Sequence, residues 1–321
     1  MNKGIWIVVA VVLIITGAAL CALSTVVLGF DPVNTSTVEY VENTYEVSGS
    51  FKNISIAVDT DDIEFQKSQD GKCSVVCIEA ENIRHEAKIN GNTLEIKQFS
   101  EGSWNFIGFN TQTPKMTVYL PENTYNDLDI NVNTGDIVIP AGFTFEDLEI
   151  YGNTGDIMSE CDVTGDTNAE ITTGDISMIG IAGEKINVSA TTGDILLERI
   201  NCTDAEVKST TGDIQLGSVL VSGDLKTQTE TGRTWLSSVL VTGKLTATGG
   251  TDDVEIDGCD AGEILIETNT GSITGSLLSE KVFVTETNVG TIDVPNTASG
   301  GKCELTTNTG SISITITQGE V

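Results

Sequence analysis

Thr-Gly-Asp-Ile recurs along this chain at Thr134, Thr154, Thr173, Thr192 and Thr211, and alignment on it exposes degenerate copies starting at residues 231, 251, 270, 289 and 309. Successive starts lie 19 or 20 residues apart. A period this constant is the signature of a repeat architecture, in which one supersecondary unit is copied and stacked. A unit of 19–20 residues with so few apolar side chains cannot close a core alone. Stacked on its neighbours it can, because each apolar column becomes a continuous buried ladder.

The columns say which elements are stacked. Three residues after the repeat Thr come Ile137, Ile157, Ile176, Ile195, Ile214, Thr234, Val254, Ile273, Ile292 and Ile312. Two further on the column is again apolar, interrupted at Ser159 and Gly275, and upstream lie pairs such as Leu128/Ile130, Leu148/Ile150 and Ile186/Val188. Apolar residues two apart predict strands with one buried face, and no stretch of the repeats shows helical spacing. Each unit reads as strand, turn at TGD, strand and a shorter return segment. The expected fold class is all-β: a parallel β-solenoid (β-helix) of about ten 19–20-residue coils, stacked about 4.8 Å apart. The number of faces stays open, and general crossover chirality favours a right-handed path.

Ahead of the repeats, residues 4–30 form a run of 27 residues without a charge. About 20 apolar residues suffice to span a hydrocarbon core as a helix. Lys3 precedes the run and acidic residues follow it (Asp31, Glu39, Glu42), an asymmetry that keeps the N-terminus inside and sends the rest of the chain out. An uncleaved N-terminal transmembrane anchor is expected, with a cleaved signal peptide as the alternative, since Ala22-Leu23-Ser24 has a passable cleavage pattern. The chain therefore divides into residues 1–30, anchor or signal peptide; 31–127, a strand-rich lead-in that caps the stack; and 128–321, the TGDI-repeat solenoid. Within the lead-in, residues 54–65 (ISIAVDTDDIEF) read as one more degenerate unit, with Thr60-Asp61-Asp62-Ile63 in the place of TGDI. The far end finishes in ITITQGEV, with Ile312, Ile314 and Ile316 alternating. That open edge is a place for a partner strand or for self-association.

Charge narrows the partners. The formal net charge is -31, from 47 acidic and 16 basic side chains, which repels phosphate backbones and excludes nucleic acid as a partner. In an exported chain seven cysteines invite a disulfide reading. Cys21 falls in the apolar run. The cysteines of the repeats (Cys161, Cys202, Cys259, Cys303) are 41, 57 and 44 residues apart, two coils or more, beyond the reach of a bridge. Cys73 and Cys77 lie four apart on one strand face, also too far to pair. They read as small core hydrophobes rather than as a disulfide framework or a zinc site.

An N-terminal membrane segment, a lead-in ending in MTVYLPENTYNDLDINVNTGDI and the serial TGDI units together resemble the bacterial putative-adhesin family, a domain-of-unknown-function family of exported envelope proteins. The likeness covers roughly residues 38–321. It implies surface adhesion, and association with cell-envelope stress systems; it brings no catalytic residues to transfer.

Four candidates for chemistry remain. The Asp column (Asp136, Asp156, Asp175, Asp194, Asp213) reads first as turn chemistry, with Asp and Thr oxygens bracing the corner and Gly bending it. The alternative is a ladder of divalent-cation sites, with Ca²⁺ the natural ion for hard oxygens; no other cofactor is expected. Arg233 ends the ladder, placed to neutralise Asp213. Trp104, Phe106 and Phe109, with Trp235, are ligand-contact candidates, the first three as rings that either cap the stack or face outward. His85, the single histidine, reads as a solvated loop residue beside Arg84 and Glu86. No nucleophile elbow, P-loop or HExxH is present, so no catalytic residue is named and the chain is expected not to be an enzyme. The functional expectation is a non-catalytic, single-pass, membrane-anchored cell-surface protein, its C-terminal part extracellular, that contacts a cell-envelope polymer or surface protein. The alternatives are an accessory of an envelope-stress signalling system and, third, a carbohydrate-active β-helix enzyme.

Overall fold

The alignment on TGDI is also the hydrogen-bond register. In the computed structural model, which describes residues 40–80, 83–100 and 114–317, Thr134 lies opposite Thr154, and the series continues through Thr173, Thr192, Thr211, Thr231, Thr251 and Thr270 in successive parallel strands. Each coil has three sides. The first ends at the repeat Thr and buries columns such as Leu128, Leu148 and Ile186. The second starts at the Ile of TGDI, where Ile157 faces Ile137 and Ile176. The third is the short return segment, in which Asn201 and Cys202 face Leu220 and Val221, and these face Leu240 and Val241.

The TGD corner explains its own sequence. Gly155 and Gly174 have φ of 132° and 139°, a region that L side chains rarely adopt. A Cβ at either glycine would be driven into the backbone carbonyl of the glycine one coil earlier. The aspartate then ties coil to coil. Oδ1 of Asp136 accepts the amide N–H of Asp156 at 2.8 Å, and the same bond repeats from Asp156 to Asp175, Asp175 to Asp194 and Asp194 to Asp213. Asp213 accepts from the Arg233 amide at 2.7 Å, and Asp62 opens the series by accepting from Asp136. The corner between the second and third sides is left-handed in Gly180, Arg199, Ser218, Ser238 and Gly258. The corner between the third and first sides carries a second carboxylate ladder, in which Asp147 accepts from the Asp166 amide, Asp204 from Asp224 and Asp224 from Lys244.

The lead-in continues the stack and then closes it. Its strands are β1 (Tyr40–Val47), β2 (Asn53–Thr60), β3 (Asp62–Lys67), β4 (Cys73–Ala80), β5 (Ile83–Asn90), β6 (Thr93–Ser100) and β7 (Lys115–Leu120), followed by β8 (Thr124–Thr134) and β9 (Ile137–Ile139) of the first TGDI unit. Thr60 lies opposite Thr134 and Ile63 opposite Ile137, so residues 54–65 are the extra degenerate unit that the sequence suggests. β6 and β7 lie parallel on β2 and β3 and add one further layer. On that layer β5 pairs antiparallel with β6, β4 antiparallel with β7, and β1 antiparallel with β4.

At the other end the layers are out of chain order. The Val254–Thr270 strand pairs not with Lys281–Val289 but with Gly301–Thr309, and Lys281–Val289 lies on the far side of that strand. On the second side Ile273–Leu277 pairs with Ile312–Ile316, which pairs in turn with Ile292–Asp293. The tenth unit is thus slotted between the eighth and the ninth. This corrects the expectation that Ile312, Ile314 and Ile316 form the free edge. The tenth unit buries Cys303, Leu305, Ile312 and Ile314, whereas the ninth offers Phe283, Thr285 and Ile292, so the richer coil takes the two-sided position where burial yields more.

Cys73, Cys77, Cys161, Cys202, Cys259 and Cys303 are buried free thiols. Burial pushes the Cys303 thiol up to about 12 and Cys161 to about 11, and Cys303 faces Ile264 and Phe283 in an apolar column. Among the described residues no helix is long and apolar enough to cross a membrane; the apolar run of residues 4–30 lies outside them.

Two substitutions test the corner. Gly174→Ala is expected to lower stability by about 1–3 kcal/mol through backbone strain and the clash with Gly155, read as a fall in the thermal or urea midpoint. Asp175→Ala removes the acceptor of the Asp194 amide and is expected to cost about 1 kcal/mol. Asp175→Asn keeps that oxygen and should stay within about 0.5 kcal/mol of wild type. Equal losses in the two aspartate variants would show that charge, not the hydrogen bond, holds the coils together.

Candidate functional site

The structure places the five repeat aspartates one above another on the corner between the first and second sides, with Asp136, Asp156, Asp175 and Asp194 exposed and Asp213 half-buried. One oxygen of each is engaged by the next coil's amide, as above. Arg233 meets Asp213 through its backbone N–H. Trp235 stands on the outer face of the second side between Gln215 and Glu255, 42% exposed. Trp104, Phe106 and Phe109 lie outside the described residues.

His85 overturns its sequence reading. It sits within β5, 5% exposed, between two buried carboxylates. Nδ1 lies 2.7 Å from Oε1 of Glu79 and Nε2 lies 2.9 Å from Oδ2 of Asp61. Burial follows from strand alternation: Ile83 and His85 share the inward phase of β5, and Cys77 and Glu79 share that of β4. Asp61 occupies the glycine position of its TGDI-like corner, without a positive φ. Glu79 is well supplied with donors, from the Tyr45 hydroxyl at 2.6 Å, the Asn43 amide at 2.5 Å and the His85 backbone N–H at 2.8 Å. Asp61 is not, since its Oδ1 is buried without a partner among the described residues.

The electrostatics follow these partners. Burial works against the Glu79 charge, and the donors from Tyr45, Asn43 and His85 outweigh it, holding that carboxyl below its ordinary range. At Asp61 burial wins over the single contact with His85 and raises the pKa. Burial opposes charge on His85 too, but the two carboxylates more than offset it and raise its pKa. Burial and hydrogen bonding to Glu79 push Tyr45 up to about 12. Cys77, Glu79 and His85 form the one trio among the described residues whose ligand atoms lie within 4.8 Å of one another. Of these, Glu79 and His85 are tied with Asp61 into a hydrogen-bond network. Both imidazole nitrogens face carboxylate oxygens, Oε1 of Glu79 already accepts from Tyr45 and from His85, and burial with the nearby carboxylates keeps the Cys77 thiol protonated.

The second distinctive place is the open end. Among the described strands, Lys281–Val289 pairs on one side only, with Gly301–Thr309, and Ile292–Asp293 only with Ile312–Ile316. Val282 and Val284 are exposed there, with Val289 at 64% and Ile292 at 45%. Ile292 belongs to the column that is buried in every other coil, and here it is uncovered because no described coil lies beyond it. The same coil carries Glu280, Glu286 and Asp293, and its one lysine, Lys281, is buried against Oδ1 of Asp260, the Ala261 carbonyl and Ser279. Beside it a shallow groove of about 500 Å³ runs along the third side, lined by Leu220, Leu240, Thr242 and Asp260 among others.

Comparisons with known proteins bear on the family. Similar folds include a putative adhesin from Bacteroides fragilis NCTC 9343, 19% identical over 88% of this chain and 99% of that one, with a TM-score of 0.40. A putative adhesin from Parabacteroides distasonis ATCC 8503 is 11% identical over 85% and 98% of the two chains, at 0.44. A putative lipid binding protein from the same organism is 16% identical over 85% and 96%, at 0.34. At such TM-scores these likenesses carry no argument about this chain. Among curated proteins none matches significantly. The family model described as Toastrack DUF4097 matches residues 51–239, more than half of the 321 residues; the chain belongs to this domain-of-unknown-function family, as its TGDI succession led one to expect.

Proposed function

We propose that this chain is a non-catalytic, membrane-anchored cell-surface protein, a β-solenoid that mediates adhesion or envelope contact through its open terminal coil. The observation that carries the reading is the edge of the Lys281–Val289 strand that no described strand pairs, nine residues long with Val282 and Val284 exposed. An edge of this length accepts an added strand, main-chain bonds supplying affinity and alternate side chains specificity. Exposed acids around it, and a net charge of -31, favour a partner strand with basic side chains, or a cationic envelope polymer, over an acidic one. A second copy of this chain would meet its own acidic coil, so self-association is the weaker use of the edge. Among the described residues, the regular coils of 19–20 residues, turning at tight corners, supply no long loops to wall a catalytic groove, which supports the non-catalytic reading. The apolar run of residues 4–30 supports the anchor, with the solenoid outside the cell.

Binding of the full chain, kept in detergent micelles, to intact cells and purified wall polymers tests the proposal. Val282→Lys with Val284→Lys places charge on an exposed edge and is expected to leave the unfolding midpoint in place while weakening binding at least about tenfold. Unchanged binding by that double variant would remove the edge from the contact. Failure of wild type to bind any cell or polymer would remove the adhesive reading itself.

A further inference from the structure

β1 is the described strand nearest the apolar N-terminal run, and it packs on the core through Tyr45 and Val47, both only partly buried. None of its residues is fully buried, Val41 is exposed, and among the described strands it pairs with β4 alone. Glu79 also reaches it from beneath, accepting from the hydroxyl of Tyr45 and the amide of Asn43, both on β1. Glu79 is itself held by His85, whose other ring nitrogen is held by Asp61. We propose that Asp61, His85 and Glu79 form a pH-sensitive latch that fastens β1 to the cap and loosens it when His85 becomes neutral.

The stereochemistry of imidazole makes the latch two-state. The imidazolium donates from both nitrogens and serves both carboxylates at once, whereas neutral histidine donates from one only. On losing its proton His85 keeps one carboxylate and releases the other. Glu79 retains its donors from Tyr45, Asn43 and the His85 backbone N–H, so the loss falls on Asp61. A buried carboxylate without a donor strains the packing of β5 on β4, the strand that holds β1. Asp61 already has one orphaned oxygen, so it cannot absorb the loss. Among the described residues, the groups that face the imidazole are Asp61 from the turn before β3, Cys77 and Glu79 from β4, and Tyr45 from β1. Cys77 and Tyr45 keep their protons through neutral pH, and Tyr45 stays a donor until pH about 12. His85 has its pKa raised in the fold, so its contribution is complete below the ordinary histidine value of about 6.5 and is lost as pH rises through the raised value. Asp61, raised as well, acts in the same direction, its contribution complete below the ordinary Asp value. Glu79, lowered, contributes above the ordinary Glu value of about 4.3 and loses its contribution as pH falls through the lowered value. The latch is therefore tightest in mildly acidic solution and opens on the alkaline side.

His85 is the only histidine in the chain, so ¹⁵N-histidine labelling of the full chain in micelles gives a single imidazole to titrate. Amide hydrogen exchange on the same sample, corrected for intrinsic rates, reports β1 against β8. Between about pH 6 and pH 9 the protection of β1 is expected to fall about tenfold or more relative to β8, with the midpoint of the His85 titration. Asp61→Asn is expected to move both midpoints to lower pH together. Tyr45→Phe is expected to cut β1 protection while His85 still titrates, and it keeps the test open if Asp61→Asn does not fold. The proposal is overturned by β1 protection that is flat across this range, by His85 titrating at or below its ordinary value, or by protection lost equally from every strand. Zinc bound by the purified protein and lost in Cys77→Ser would overturn it too, by making the trio a metal centre.

Discussion

Backbone hydrogen bonding from one coil to the next, repeated in fixed register, is what the rest of this molecule depends on. Parallel stacking tolerates no slack, because a slip of one residue would turn every inward side chain outward. At the TGD corner two devices prevent the slip. Glycine lets the corner of each coil sit directly on the carbonyl of the one before, and the aspartate oxygen takes the amide N–H that the turn leaves over. The length difference between 19- and 20-residue units is absorbed elsewhere. Register shifts fall between Val241 and Lys244 and between Ile256 and Cys259, on or next to the third side, so the TGD corner stays aligned throughout.

The same distinction explains what could be read in advance. Residues that must repeat to keep the register are visible as columns: the Ile column, the TGD corner and the extra unit at residues 54–65 were legible because physics allows them little variation. The left-handed corner was not, since Gly180, Arg199, Ser218, Ser238 and Gly258 share a conformation and no chemistry. The second carboxylate ladder was hidden for a related reason, its members Asp147, Asp166, Asp204 and Asp224 being broken by other residues in the intervening coils. Layer order was invisible in principle: a period says which residues share a column, not which coil lies on which, and so the tenth unit was placed last. His85 did carry a signal. Ile83, His85, Ala87 and Ile89 alternate in one phase, which predicts an inward histidine, but polar neighbours at Arg84, Glu86 and Lys88 drew the reading toward a solvated loop. Its partners, 6 and 24 residues away, come from separate elements and leave no local motif.

The two ends of the stack solve the edge problem in opposite ways. At the N-terminal end a parallel layer is closed by antiparallel strands, which stop the repeat from being continued by another coil of the same kind. At the C-terminal end the chain passes over the last layer and returns beneath it, so the layer left outside is the one poorest in core residues. That arrangement limits the apolar area presented to water while leaving the edge without a described partner strand. Thr297 donates to the Lys281 carbonyl and Ser299 to Glu280, covering the start of the edge strand and leaving its middle accessible. Closure at one end and an edge without a described partner strand at the other give the solenoid a direction, from the N-terminal cap to the outermost coil.

A buried histidine between two carboxylates is a costly way to fill a cap. An apolar replacement of similar volume would avoid the desolvation of three ionisable groups and is often the more stable choice. The cost is concentrated at Asp61, which stands where the other corners of the strict repeat have glycine, turned inward rather than along the ladder. Asp62 beside it still performs the ladder task by accepting from Asp136, so the corner did not need a second aspartate to keep the register. Glu79 likewise spends its hydrogen bonds on β1, a strand outside the solenoid proper. The cluster thus contributes nothing to coil stacking that Asp62 and the main chain do not already supply, and its interactions converge on the junction between the cap and β1. A feature that is expensive, independent of the repeat and confined to that junction is best explained by what it does there, which is to make the attachment of β1 depend on the charge of a single imidazole.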